Sequence, residues 1–147
     1  MPGSAIGVCR TIAILVGPLV EQMLRTYAPL QRVSRVAVAD TEIAGVEIPA
    51  GSSVVVVVGS ANRDARRFGA GDRLDLPSAD AAHLAFGLGI HHCLGAPLAR
   101  LEARVAINEI LDRASAIRVD PSHSIARFAG DSTSELQTNE LWLLANS

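Results

Sequence analysis

The stretch Phe86-Gly87-Leu88-Gly89-Ile90-His91-His92-Cys93-Leu94-Gly95 constrains this chain more than any other. Two glycines one residue apart let a backbone turn tightly and lie close against something flat, so the segment reads as a loop rather than the interior of a strand or helix. A helical pattern follows at once. Pro97 suits its first turn, and Leu98, Leu101, Val105 and Ile110 form an apolar stripe that runs to about Ala114. Cys93 therefore sits just before a helix entrance, where the partial positive charge favours a thiolate.

Three readings of Cys93 stay open on the residues alone. A free cysteine is commonly a small buried hydrophobe. It could bind zinc together with His83, His91 and His92, although adjacent side chains of an extended loop point apart and a second cysteine is missing nearby. A thiolate in a dry, glycine-lined loop is also a strong soft ligand for iron.

The rest of the chain sets the frame. Its 147 residues suffice for one domain with a core, and with 49% hydrophobic but only 3% aromatic residues that core is built mostly from Val, Ala, Leu and Ile. The net charge of −2, without a block of like charges, points away from nucleic acid or an anionic membrane as main partner. The two cysteines, Cys9 and Cys93, lie far apart and do not form a disulfide framework, which suggests a reducing, cytoplasmic setting. The apolar run Thr11 to Val20 is too short to span a bilayer and continues into Glu21, so it reads as a packed helix rather than a signal peptide.

Along the chain, Leu15, Leu19, Met23 and Leu24 recur at helical spacing and predict a helix over about 15–26, with Pro18 in its first turn and Pro29 ending it. A β-sheet region follows over about 33–58. Val33 to Val38 and Glu42 to Ile48 read as strands with a turn at Ala44-Gly45, and Val54 to Val58 reads as a strand buried on both faces. Ala61-Asn62-Arg63-Asp64 reads as a short helix capped by Asn62. Residues 68–95 form a meander and the cysteine loop, 96–114 a long helix, and 117–144 a tail of short strands and loops.

The pattern Phe-Gly-x-Gly-x-His-x-Cys-x-Gly resembles the haem-binding signature of the cytochrome P-450 family. The likeness extends to His83-Leu84-Ala85 before it and to Ala96-Pro97-Leu98-Ala99-Arg100-Leu101-Glu102 after it. Ile48-Pro49-Ala50-Gly51 and Ala61-Asn62-Arg63-Asp64 match the soluble bacterial branch. The resemblance implies a mainly α fold with a small β-sheet, the C-terminal part of the cytochrome P-450 fold, and haem b (iron protoporphyrin IX) as cofactor. Cys93 would be the proximal iron ligand, with Phe86 packed beside it. Gly87, Gly89 and Gly95 would let the loop approach the macrocycle. His91 and Arg35 would meet the haem propionates, as opposite charge requires. The implied function is a haem-thiolate monooxygenase, or its haem-binding portion, acting on a small organic substrate. Electrons would come from a ferredoxin-type donor and an NAD(P)H-dependent reductase, with Arg63, Arg66, Arg67 and Arg100 as a basic docking surface.

The chain also departs from the family pattern. Gln22 stands where the family's Glu-x-x-Arg motif has its glutamate, ahead of Arg25, and Ser78 falls near the position of the basic third partner. Glu21 is a poor substitute, because one residue turns about 100° around a helix. The likeness covers only the last third or so of the family. The distal helix with the acid–alcohol pair for O2 activation and the substrate-recognition loops are absent. Met1 to Arg10 read like a start inside a longer frame, so a missing N-terminal chain is a further implied partner. The alternative is a haem-binding or non-enzymatic remnant without turnover.

Overall fold

The structure, a computed structural model, describes residues 4–69, 71, 73, 74, 76, 82–114, 116–120, 122, 127–129, 136–138 and 143–146, with side chains given from Ile14 to Ala114 and at Ile117, Asp120 and Ser122. The position near Ser78 lies outside the described residues. Two helices, α1 (Ser4–Thr26) and α4 (Ala96–Arg113), pack against each other. Between them come strands β1 (Val33–Val36), β2 (Thr41–Ile43), β3 (Val46–Ile48) and β4 (Ser53–Val56), then two single-turn helices, α2 (Val58–Ala61) and α3 (Ala65–Phe68). A 3-10 turn (Gly89–His91) precedes α4, and β5 (Ala116–Val119), β6 (Arg127–Ala129), β7 (Leu136–Thr138) and β8 (Leu143–Asn146) follow it. The strands pair antiparallel as β1–β4, β2–β3, β5–β8 and β6–β7, each pair a two-stranded ribbon.

Helix α1 starts at Ser4, well before the expected residue 15, and Pro18 lies inside it rather than in its first turn. Proline there removes one i→i−4 hydrogen bond and crowds the carbonyl four residues back. The helix nevertheless continues through that local loss to Thr26. Its buried face is also not the expected one. Val16 and Val20 are buried, whereas Leu15 and Met23 are exposed. Glu21, Gln22, Arg25 and Thr26 continue the buried face at three- and four-residue spacing. In α4, Ala96 is buried, but Leu98, Leu101, Val105 and Ile110 are exposed. Ala103 and Ile107 instead line a groove with Val20, Met23, Leu24, Tyr27 and Pro29 of the α1 side.

The valine run is likewise corrected. β4 ends at Val56, and Val55, Val56 and Val57 are exposed, while Val58 is buried as the first residue of α2. A two-stranded ribbon cannot by itself cover both faces of a strand. β1 and β4 run in register from Val33 opposite Val56 to Val36 opposite Ser53. The β2–β3 hairpin turns at Ala44 (φ 51°) and Gly45 (φ 81°), the two left-handed residues that a tight primed turn requires. Asn62 caps no helix start. It is the C-terminal cap of α2, and Asp64 caps α3 by accepting a hydrogen bond from the Arg66 amide at 2.9 Å. The two residues fit the roles their backbone allows. Asp64 is extended, as an N-cap must be, and Asn62 is still helical.

Candidate functional site

The loop before α4 is folded on itself. The Cys93 amide donates to the Phe86 carbonyl at 2.8 Å, and the Cys93 carbonyl accepts from the Ala96 amide at 3.2 Å. Gly87 and Gly89 both take left-handed backbone angles, φ 76° and 64°. At Gly87 a side chain would also press on the His91 carbonyl, its Cβ only 3.0 Å away, so sequence and shape agree on glycine there. The result lifts Cys93 to the surface as a free, exposed thiol. Leu94, the next residue, is 98% exposed, Ile90, three residues before, is 97% exposed, and Leu88 is also exposed. A Cβ on Gly95 would lie 3.8 Å from the Cys93 sulfur, and one on Gly89 would meet open space.

The structure therefore brings Phe86, Gly87, Gly89, His91, Cys93 and Gly95 together on one short loop. His91 is exposed at the end of the 3-10 turn. Arg35 is on β1, opposite Val54; its guanidinium is exposed and donates to the neighbouring Ser34 carbonyl at 2.8 Å. Among the described residues no hydrogen bond joins Arg35 to the loop.

Beneath the loop lies a polar core. Arg25 is 2% exposed. Its guanidinium donates to the carbonyls of Asn62 (2.9 Å), Gly71 (2.8 Å) and Arg73 (2.6 Å), and its Nε to Gln22 Oε1 at 3.0 Å. Gln22 thus accepts the bond that the family's glutamate would, and backbone carbonyls share the remaining charge. Gly71 is held so near the Arg63 carbonyl that a Cβ would stand 2.4 Å from it. Asn62 is fully buried and links this cluster to the loop, accepting from the Leu84 amide through Oδ1 at 2.7 Å.

Glu21 has a different role from the one its neighbour leaves open. It does not serve Arg25. It accepts from Arg100 Nε (2.7 Å) and Nη2 (3.1 Å), and lies 3.1 Å from His83 Nε2, with Arg104 at 4.0 Å. Burial pushes the Glu21 carboxyl up, but the hydrogen bonds from Arg100 and His83 outweigh it and leave the group below its ordinary value. Burial also pushes His83 down, against the opposing pull of Glu21. The bonding pattern agrees with a neutral ring. Nδ1 accepts from the Ala85 amide at 3.2 Å, which assigns the ring proton to Nε2, facing Glu21.

Sequence reasoning missed this triad because its members are 62 and 79 positions apart. It also placed Arg100 on a free basic surface. Arg100 is instead tied to Glu21, and its guanidinium lies 4.7 Å from the centroid of the Phe86 ring. Arg66 is paired with Asp64 at 2.7 Å, and Arg63 donates to the Thr26 carbonyl. The Arg66 side chain and amide together hold the Asp64 carboxyl down to about 2.

Comparison with known proteins agrees with this architecture. The family profile for Cytochrome P450 matches residues 18–122. Cytochrome P450 109 of Bacillus spizizenii is 47% identical over 102 residues, covering 69% of this chain and 25% of that protein. The cytochrome P450 monooxygenase PikC of Streptomyces venezuelae is 45% identical over 104 residues, covering 70% and 25%. Among solved structures, P450BioI in complex with a hexadec-9Z-enoic acid ligated acyl carrier protein superimposes with a TM-score of 0.86 at 35% identity, over 96% of this chain and 36% of that one. The chain thus spans about a quarter of the length of these curated relatives. No helix among the described residues is long and apolar enough to cross a membrane. On profile, identity and shape together, the chain belongs to the cytochrome P450 family, whose members are haem b proteins.

Proposed function

We propose that this chain is the haem-binding portion of a haem-thiolate monooxygenase, with Cys93 as the proximal iron ligand. The observation that carries the reading is the exposed Cys93 thiol, presented by a loop whose neighbouring apolar side chains, Ile90 and Leu94, are almost wholly uncovered. Exposed apolar side chains around one soft donor fit a flat, apolar ring with an iron centre better than they fit water. Gly89 and Gly95 leave the space for close approach. His91 and Arg35 are both exposed and would bind the carboxylates at the rim.

When bound, thiolate-ligated haem supplies O2 activation: one oxygen atom enters a small organic substrate and the other leaves as water, with two electrons and two protons taken up. The chain's own contribution is to hold the sulfur in place and keep the apolar face around it. The electrons would come from an NAD(P)H-dependent reductase through a ferredoxin-type partner. Of the four arginines expected on the docking surface, Arg100 is committed to Glu21, Arg66 to Asp64 and Arg63 to the Thr26 carbonyl.

Titration of the purified chain with hemin, followed by reduction under carbon monoxide, tests the reading. The expected result is the red-shifted Soret band of thiolate ligation, abolished in Cys93→Ala. The same band in that variant, or none in the unaltered chain, overturns it.

A second reading has its own support. The exposed stripe of Leu98, Leu101 and Val105 on α4 is the kind of surface that another chain or segment covers. A non-enzymatic remnant without turnover would bind hemin yet consume no NAD(P)H when redox partners are supplied.

A further inference from the structure

The cluster of buried Glu21 and His83 with part-buried Arg100 is charged and unused by the haem reading. Its position explains what it could do. His83 stands three residues before Phe86, at the loop's entrance, and is bonded to Glu21 on one side and the Ala85 amide on the other. Arg100 stands on α4, at the loop's exit, and makes two hydrogen bonds to the same carboxylate. One side chain on α1 therefore fixes both ends of the segment that carries Cys93.

The connection reaches Cys93 through Phe86. Arg100 lies over the Phe86 ring at 4.7 Å, and the His83 ring is 6.2 Å from it at a 44° tilt. The Phe86 carbonyl in turn accepts from the Cys93 amide at 2.8 Å. A guanidinium is planar and can stack on a ring while bonding a carboxylate edge-on, whereas an ammonium offers only a point charge. Arg100 does both here.

We infer that Glu21 is the positioning residue of the cysteine loop, acting through Arg100 and His83 to hold Phe86, and through Phe86 the backbone of Cys93. The inference rests on the haem-thiolate reading for its purpose. Its physical content, the ordering of Cys93 by Glu21, does not require haem.

Amide hydrogen exchange on the haem-free chain tests that content. In Glu21→Gln and Arg100→Lys, exchange at Cys93 should quicken by about tenfold or more, while the Gly51 amide, bonded to the Ala37 carbonyl at 2.8 Å in the distant ribbon, keeps its rate. Arg100→Lys retains the charge opposite Glu21, so it restores a merely structural ion pair but not the stacking. In a Phe86→Leu background, adding Arg100→Lys should change Cys93 exchange no further. Three results would overturn the inference: an unchanged Cys93 rate in Arg100→Lys, an equal acceleration at Gly51, or full additivity with Phe86→Leu. Hemin binding reports separately. In the loaded chain Arg100→Lys should lower the share of thiolate-type carbon monoxide complex, and a share equal to that of the unaltered chain is a fourth result that overturns the inference. Absence of any thiolate band in the unaltered chain removes the haem reading alone, and the exchange rates still decide whether Glu21 orders the loop.

Discussion

The polar cluster under the cysteine loop and the apolar surface around it have exchanged the usual places of polar and apolar groups. Arg25, Gln22 and Asn62 are the largest fully buried side chains described, whereas Ile90, Leu94, Leu98 and Leu101 are exposed. The two regions do different work. The buried cluster joins segments far apart in sequence by directional bonds. Arg25 alone contacts carbonyls 37, 46 and 48 positions away. Such bonds fix where the loop lies, which non-directional apolar contact does less well. The exposed leucines and isoleucine bear no such constraint and form a surface suited to being covered.

The comparison breaks if the buried cluster proves dispensable. Arg25→Met should have the largest effect, lowering stability by more than about 3 kcal/mol, because three carbonyls, two of them in buried bonds, lose a charged donor at once. Chemical denaturation measures it, and a loss under half that size would mean the cluster is not what anchors the loop. Asn62→Ala should follow at about 1–3 kcal/mol, by leaving the Leu84 amide without its acceptor. Acid should act next. His83 is held below its ordinary 6.5, so the unfolded chain takes up that proton first and stability falls as pH drops below about 6.5. Glu21, held below its ordinary 4.5, adds a loss in the same direction from about that pH downward. Thermal midpoints between pH 8 and pH 4 should fall monotonically, and His83→Asn should flatten the upper part of that slope. The exposed region gives the smallest effect. Ile90→Ser and Leu94→Ser should shift stability by no more than about 0.5 kcal/mol, yet reduce hemin uptake measured by Soret absorbance. A large destabilisation there would show that these side chains are packed after all.

The loop was legible in the sequence because its glycines, its cysteine and the proline after it act locally. Two left-handed glycines and a helix entrance can be read from ten consecutive residues. The Ala44-Gly45 turn was legible for the same reason. What stayed hidden is non-local. Nothing about Glu21 announces a histidine 62 residues on, and the carbonyls that satisfy Arg25 belong to backbone, which carries no sequence signal. Hydrophobicity misled in the other direction. The valines after Ser53 and the stripe on α4 read as core, but burial needs a second layer, and neither the β1–β4 ribbon nor the α1 face supplies one for them. Pro18 misled because its cost, one hydrogen bond and a crowded carbonyl, is local and a 23-residue helix absorbs it.

The sharing of one carboxylate between His83 and Arg100 also limits how this sequence can drift. Losing Arg100 first would leave the Glu21 charge with a neutral imidazole as its nearest partner, and losing Glu21 first would strand a guanidinium above an aromatic ring. Either single step passes through a less fit intermediate, so natural variation at positions 21 and 100 should be correlated, changing together or scarcely at all.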